Sequence, residues 1–314
     1  MSTFTVGIDI GGTSVRAAVI DANGAIVNRA REMTPASAAA TEDLLVDLVR
    51  HLQATHPISG VGLAVAGFIS TDRQRVMFAP HLAWRDAQVP AILSARLDLP
   101  VVMDHDVNSA VWAEYHLGAA AGSPVALLIA LGTGIGAGLV VDGQIYRGAH
   151  GVAPELGHLT VVPGGRSCPC GKRGCWERYC SGTALAATGV DRWREAGREI
   201  PDELADSEVT GTVVARTAAE GDPQALAAVD ELGHWLGIGM GLAADVLDPE
   251  VIVIGGGVSD AAPLYLPRAL DTMRQTITGG VHRPHPRIEV ARYGDRSAVI
   301  GAGLLAQHAL VASG

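Results

Sequence analysis

Lysine is almost missing from this chain: among 314 residues Lys172 is the only one, and the net charge is −10. So acidic a chain is excluded from non-specific nucleic-acid or anionic-membrane binding. Any phosphate ligand has to be held by backbone N–H groups, arginine or a metal ion rather than by a lysine cluster. No basic segment with an apolar run follows Met1, so no secretory leader is expected, and no apolar stretch is long and clean enough to span a bilayer. A Gly-x-x-x-x-Gly-Lys-Ser/Thr phosphate loop is absent. Cysteine is scarce, with four residues, all within Cys168–Cys180. Without a leader, such a cluster fits metal binding in a reducing cytoplasm better than a disulfide framework. The expected location is therefore cytoplasmic. A hydrophobic fraction of 48% excludes disorder, and 314 residues allow two domains of ordinary size.

The cluster organises the middle of the chain. Cys168, Cys170 and Cys175 fall within eight residues, and His158 stands ten residues before the first. Three thiolates and one imidazole make a tetrahedral Cys₃His zinc site. Cys180 could take the place of His158, giving Cys₄. A disulfide is the rival reading, weakened because Cys168 and Cys170 are too close in sequence to bridge comfortably. Two acids, Glu155 and Glu177, bracket the cluster, and a structural zinc needs neither.

The chain opens with an apolar run, Phe4–Ile10, that ends in Asp9-Ile10-Gly11-Gly12-Thr13, and a second apolar run follows at once. A strand after the glycines excludes a dinucleotide fingerprint and predicts a hairpin. Its turn offers the N–H groups of Gly11, Gly12 and Thr13 to an anion, with Asp9 near enough to attract the anion's metal ion. The pattern returns at Gly132-Thr133-Gly134 between the runs 124–131 and 139–142, which reads as an internal duplication. A third glycine loop, Gly255-Gly256-Gly257, follows a buried strand at 251–254. Asp106 falls at a strand end and a helix start, a common place for ligand-facing residues and also for a simple helix cap. Helices are expected at 41–55 with Thr41 as cap, 87–97, 108–117, 184–188, 191–197, 210–219, 223–246, 263–276 and 297–310. A turn is expected at 84–86. Strands alternating with helices late in each half make the class α/β with a mixed sheet in each domain.

Two glycine–threonine hairpins, a third glycine loop and one aspartate suggest phosphoryl transfer from a Mg²⁺-bound nucleotide, a reaction carried mostly by positioning and charge stabilisation. On the residues Asp9–Thr13, Gly132–Gly136, Glu155-Leu156-Gly157-His158 and the C-x-C-G-x-x-G-C-x-E run ending at Glu177, nearly the whole chain resembles the ROK family of bacterial sugar kinases and related repressors. The resemblance implies the two-domain actin-like, ribonuclease-H-like ATPase fold, with the active site between an N-terminal domain (1–119, completed by a final helix at 298–314) and a C-terminal domain (120–297). It implies ATP with Mg²⁺ as donor and one structural zinc on His158, Cys168, Cys170 and Cys175. It implies Asp106 as general base, and Gly67, His105, Asp106, Glu155, His158 and Glu177 at the sugar. Asp9, Gly11, Gly12, Thr13, Gly132, Thr133, Gly134, Gly255, Gly256 and Gly257 would then hold the nucleotide. A homodimer or homotetramer is implied as well.

The expected activity is an ATP-dependent hexose kinase, foremost on the glucose 6-hydroxyl. Family repressors carry an extra DNA-binding region, whereas the first strand here begins almost at Met1. The alternatives are another acceptor (N-acetylmannosamine, N-acetylglucosamine, allose or fructose), polyphosphate as donor, or a sugar sensor without turnover. His105 and His81 stand where the family usually has asparagine, Ala66 replaces a proline, and Ser14 an often-found lysine. An imidazole offers fewer hydrogen bonds than an amide, in other directions.

Overall fold

The computed structural model describes residues 4–197 and 209–313. The chain forms two compact units: one from the described residues of Met1–Pro124, Gly138–Pro154 and Asp295–Gly314, the other from those of Val125–Ala137 and Glu155–Gly294.

In the first unit, β1 (Phe4–Ile10), β2 (Ser14–Ile20) and β3 (Ile26–Met33) form an antiparallel meander. Helix α1 (Ala38–Gln53) leads to β4 (Ile58–Val65), which pairs parallel with β1. A small antiparallel sheet follows, made of β5 (Phe68–Ile69), β6 (Val76–Phe78) and β7 (Arg85–Ala87). Next come α2 (Val89–Leu97), β8 (Val101–His105), parallel to β4, and α3 (Asp106–Leu117). The main sheet has the order β3-β2-β1-β4-β8. Val6, Ile8 and Ile10 on β1 and Val61, Leu63 and Val65 on β4 are almost wholly buried and pack with Leu45, Val49 and Leu52 of α1. Parallel strands covered on both faces read as continuous apolar runs, as these do.

The second sheet is built from β9 (Val125–Leu131), β10 (Ile135–Val141), β11 (Gln144–Ile145), β12 (Val251–Gly255) and β13 (Arg287–Val290), in the order β11-β10-β9-β12-β13. Position for position this repeats the first sheet, so the duplication expected from the two glycine-rich hairpins is present in the strand order. Helices α4 (Gly182–Glu195), α5 (Gly211–Ala219), α6 (Pro223–Leu247) and α7 (Ala262–Thr276) belong to the second unit. The last helix, α8 (Ser297–Ser313), belongs to the first. There α8 touches the sheet backbone to backbone. A Cβ on Gly7 of β1 would lie 1.9 Å from the Val299 carbonyl oxygen, and one on Gly62 of β4 would lie 1.8 Å from that of Ala302.

Several local expectations change. The cap of α1 is Ser37, whose hydroxyl accepts from the Ala40 N–H at 3.2 Å, and not Thr41. Thr41 is buried in the helix and bonds back to the Ser37 carbonyl at 2.9 Å, which its own side chain satisfies without ending the helix. Trp84-Arg85-Asp86 is no turn: Arg85–Ala87 pairs with β6 as a third strand. The two fragments at 184–188 and 191–197 are one helix, because Gly189 packs against Val214 of α5 instead of breaking it. Helix α3 begins at Asp106 with His105 as its cap residue, so Asp106 is not the cap.

Candidate active site

The first unit presents the Asp9–Thr13 turn and the Asp104–Asp106 strand end. In the turn the Gly11 N–H is already spent on the Ser14 carbonyl at 3.1 Å, and Thr34 clamps the loop by donating its hydroxyl to the Gly11 carbonyl at 2.6 Å. Gly12 and Thr13 are the exposed part of the turn. Gly12 must be glycine for a local reason: a Cβ there would lie 2.5 Å from Cβ of His81. His81 therefore sits directly on this turn. Asp9 projects from the end of β1, its carboxyl pushed up to about 7, first by burial and then by the Asp106 carboxylate, with Arg16 pulling the other way and Asp295 adding to the rise. A carboxyl raised by burial and by a neighbouring carboxylate marks a place short of positive charge, the environment a divalent cation stabilises.

Asp104, only 1% exposed, anchors the strand end. Its Oδ1 accepts the His105 N–H and the Asn108 side-chain amide, both at 2.9 Å, and its Oδ2 takes the Arg147 guanidinium through Nε at 3.0 Å and also through Nη2. A buried carboxylate is tolerable only when paired and hydrogen-bonded as fully as this. The next carboxylate, Asp106, accepts the Val107 N–H on Oδ1 at 2.8 Å, and His105 Nε2 stands 3.2 Å from the same oxygen. Gly67 lies close to Ala79 and the Phe78 carbonyl, where a Cβ would come within 2.8 Å of both.

In the second unit the turn Gly132–Gly134 closes with the Gly132 N–H on the Gly134 carbonyl at 3.0 Å. Thr133 is its exposed residue. The third glycine loop is divided in its duties. Gly256 has φ +86°, and a Cβ there would lie 2.4 Å from the Leu131 carbonyl oxygen, so its glycine serves the contact with the end of β9. Gly255 is buried, and Gly257 alone is open to solvent.

His158, Cys168, Cys170 and Cys175 converge, each offering one ligand atom, with all four atoms within 4.8 Å of one another. Cys170 and Cys175 sulfurs are 3.6 Å apart, and Cys168 Sγ is 3.8 Å from His158 Nδ1. A tetrahedral zinc with Zn–S near 2.3 Å spaces its sulfurs by about 3.8 Å, so these residues fit the ion. Cys180 is buried elsewhere, its sulfur 3.7 Å from the Leu232 carbonyl, which removes the Cys₄ alternative, and none of the four cysteines is in a disulfide. The imidazole faces the cysteines with Nδ1 and approaches Glu155 Oε2 with Nε2 at 3.9 Å. The single lysine also serves this loop, Lys172 donating to the His158 carbonyl at 2.6 Å. Glu177 lies on a short 3₁₀ turn, Trp176–Arg178, with Oε2 accepting the Ile135 N–H at 3.1 Å.

Arg147, Asp104 and the Glu177–Ile135 bond are absent from the sequence reading. An aspartate inside the apolar strand 101–105 signals that some partner exists, but only the fold shows that Arg147 is the one.

Two five-stranded sheets of equal strand order, each with a glycine–threonine hairpin turn, define the actin-like, ribonuclease-H-like fold. The chain belongs to the ROK family, whose profile matches residues 5–309. It is 35% identical over 309 residues to a glucokinase of Streptomyces coelicolor, covering 96% of this chain and 97% of that one. A crystal structure of a ROK family glucokinase from Streptomyces griseus, in complex with glucose and AMPPNP, superposes with a TM-score of 0.88 at 35% identity, covering 97% of this chain and 99% of that one. A ROK hexokinase from Thermus thermophilus is similar with a TM-score of 0.82 at 30% identity, covering 99% of this chain and 100% of that one.

Proposed function

We propose that this protein is an ATP-dependent hexose kinase that phosphorylates the 6-hydroxyl of glucose. The observation that carries the reading is the strand end at Asp106: a carboxylate placed by Asp104, Arg147 and the first turn of α3, on a fold shared with glucokinases over nearly the full length. Asp106 takes the proton of the acceptor hydroxyl as it attacks the γ-phosphorus. Asp9 draws the nucleotide's Mg²⁺, and the exposed N–H groups of Gly12, Thr13 and Thr133 serve the phosphates in a chain with almost no lysine. Gly257 offers bare backbone to the nucleoside. In the second unit Glu155, Glu177 and His158 Nε2 form a sugar shelf, carboxylates accepting strong hydrogen bonds from hydroxyls, and in the first unit Gly67 offers bare backbone to the sugar. Zinc, when bound on His158 Nδ1 and the three thiolates, supplies structure and no step of the reaction. We further infer a cytoplasmic homo-oligomer; no described helix is long and apolar enough to cross a membrane.

A second acceptor is favoured by one specific feature. His81 on the Gly12 turn and His105 beside Asp106 occupy positions that the sequence reading assigns to amides, which favours a sugar other than glucose as co-substrate or better substrate. ADP release measured over a panel of glucose, mannose, fructose, allose and the N-acetylated hexosamines tests the reading. ADP with glucose, lost in Asp106→Asn, supports it. Sugars that raise the melting temperature without any ADP release would show a sensor instead.

A further inference from the structure

We propose that Glu177 is a positioning residue for the turn Gly132–Ile135, so that the metal-binding loop sets the geometry of the nucleotide site as well as that of the sugar shelf. The role as a nucleotide turn rests on the kinase reading above; the tie between Glu177 and the turn does not.

Three groups of contacts converge on those four residues. Glu177 Oε2 accepts the Ile135 N–H at 3.1 Å, and the same oxygen fills the space beside Gly134, where a Cβ would lie 2.1 Å from it. Its other oxygen, Oε1, is 3.8 Å from Cys168 Sγ, a metal ligand. On the other side, a Cβ on Gly157, between Glu155 and His158, would lie 2.4 Å from the Ile135 carbonyl oxygen. Finally the start of α4 takes the turn's carbonyls, with the Gly182 N–H on Gly132 and the Thr183 hydroxyl on Thr133, both at 2.8 Å. These contacts consume the carbonyls of Gly132 and Thr133 and the Ile135 N–H, and leave the N–H groups of Thr133 and Gly134 for an anion.

The 3₁₀ turn that carries Glu177 is itself immobilised. Trp176 is fully buried, donates its indole N–H to the Trp235 carbonyl at 2.7 Å, and its backbone N–H to Leu159 at 2.8 Å. Gly239 of α6 leaves room for the indole, since a Cβ there would lie 2.0 Å from the ring. A carboxylate beneath an anion-binding turn would repel phosphate if its charge were the point. What the turn gains is the acceptor. The amide oxygen of glutamine is also an acceptor and carries no charge, so the two effects separate by substitution.

The test uses zinc-loaded protein and Mg²⁺–AMPPNP titrated by calorimetry without sugar, alongside exchange of the Ile135 amide in the ligand-free protein. Glu177→Ala is expected to weaken AMPPNP about tenfold and to speed Ile135 exchange by at least as much, the size of one lost hydrogen bond to a charged group. Glu177→Gln is expected to keep nucleotide affinity within about threefold while glucose affinity falls in both variants. Gly134→Ala keeps Glu177 and the metal ligands in the chain but puts a Cβ where Glu177 Oε2 sits, so it is expected to push the carboxylate off the turn and reproduce the nucleotide loss, and the proposal remains testable if Glu177→Ala fails to fold. Wild-type AMPPNP affinity in Gly134→Ala, or an equally protected Ile135 amide in Glu177→Ala, overturns it. If wild-type protein binds no AMPPNP, the kinase reading fails, and Ile135 exchange still decides the tie.

Discussion

His105 and Asp106 are chain neighbours whose side chains also meet, Nε2 to Oδ1 at 3.2 Å, on the oxygen that already holds the Val107 N–H. One oxygen of the proposed base is thus engaged twice, and Oδ2 is left for the acceptor. Asp106→Asn is expected to lower kcat by about 100- to 10,000-fold with sugar affinity little changed, as for loss of a general base. His105→Leu is expected to lower kcat about tenfold by releasing Oδ1. His105→Asn is expected to change the ratio of activities between sugars. Steady-state kinetics on glucose and mannose check all three; an unchanged sugar profile in His105→Asn places the imidazole away from the hydroxyls.

Arg147→Met strands the Asp104 carboxylate, which is 1% exposed, without its cation. Removing one member of a buried pair costs about 3–5 kcal/mol. The Asp104→Asn/Arg147→Met double variant can keep the acceptor for His105 N–H and Asn108 while removing the charge. It is expected to recover most of the stability, measured by urea unfolding, and a double-mutant cycle gives the coupling.

The Asp9 carboxyl, raised to about 7, binds more protons in the folded protein than in the unfolded chain between its ordinary value and pH 7. The ligand-free protein therefore loses stability as pH rises through that window. Asp9→Asn is expected to raise the melting temperature at pH 8 and to leave it nearly unchanged at pH 4, while weakening Mg²⁺–nucleotide binding. Calorimetry in buffers of different ionisation enthalpy should show protons expelled when Mg²⁺–AMPPNP binds wild type at pH 7, and less expulsion in Asp9→Asn.

Metal analysis should find about one zinc per chain, and Cys170→Ser should lose it. Cys170 is the exposed ligand of the four, so its replacement disturbs packing least. Loss of zinc is expected to lower the melting temperature and glucose affinity together. Glucose binding equal to wild type in the zinc-free variant would detach the sugar shelf from the metal loop.

The metal set and the two glycine-rich hairpins were legible from residue spacing, because short motifs carry them. The cysteine spacing selects a metal set, and the glycine–threonine turns predict hairpins whose recurrence matches the repeated strand order. What spacing leaves open is which donors are already used. Gly11 and Gly132 spend their N–H groups inside their own turns, and Gly256 is a glycine for the sake of Leu131. Nor does sequence order bring Arg147 to Asp104 across 43 positions, or Glu177 to Ile135 across 42. Pairings of that length are set by the sheet, not by any local signal. Thr41 shows the opposite case, a good capping residue overruled by Ser37 four residues earlier in the chain.

The backbone contact of α8 with Gly7 and Gly62 has a consequence for synthesis. A ribosome makes β1 and β4 long before Val299 and Ala302, so the unit that bears Asp106 has these two strands uncovered on one face until α8 is made. The metal-binding unit has its whole described sequence available by Gly294. The nascent protein can therefore close its metal-binding unit while the unit that bears Asp106 still waits for α8.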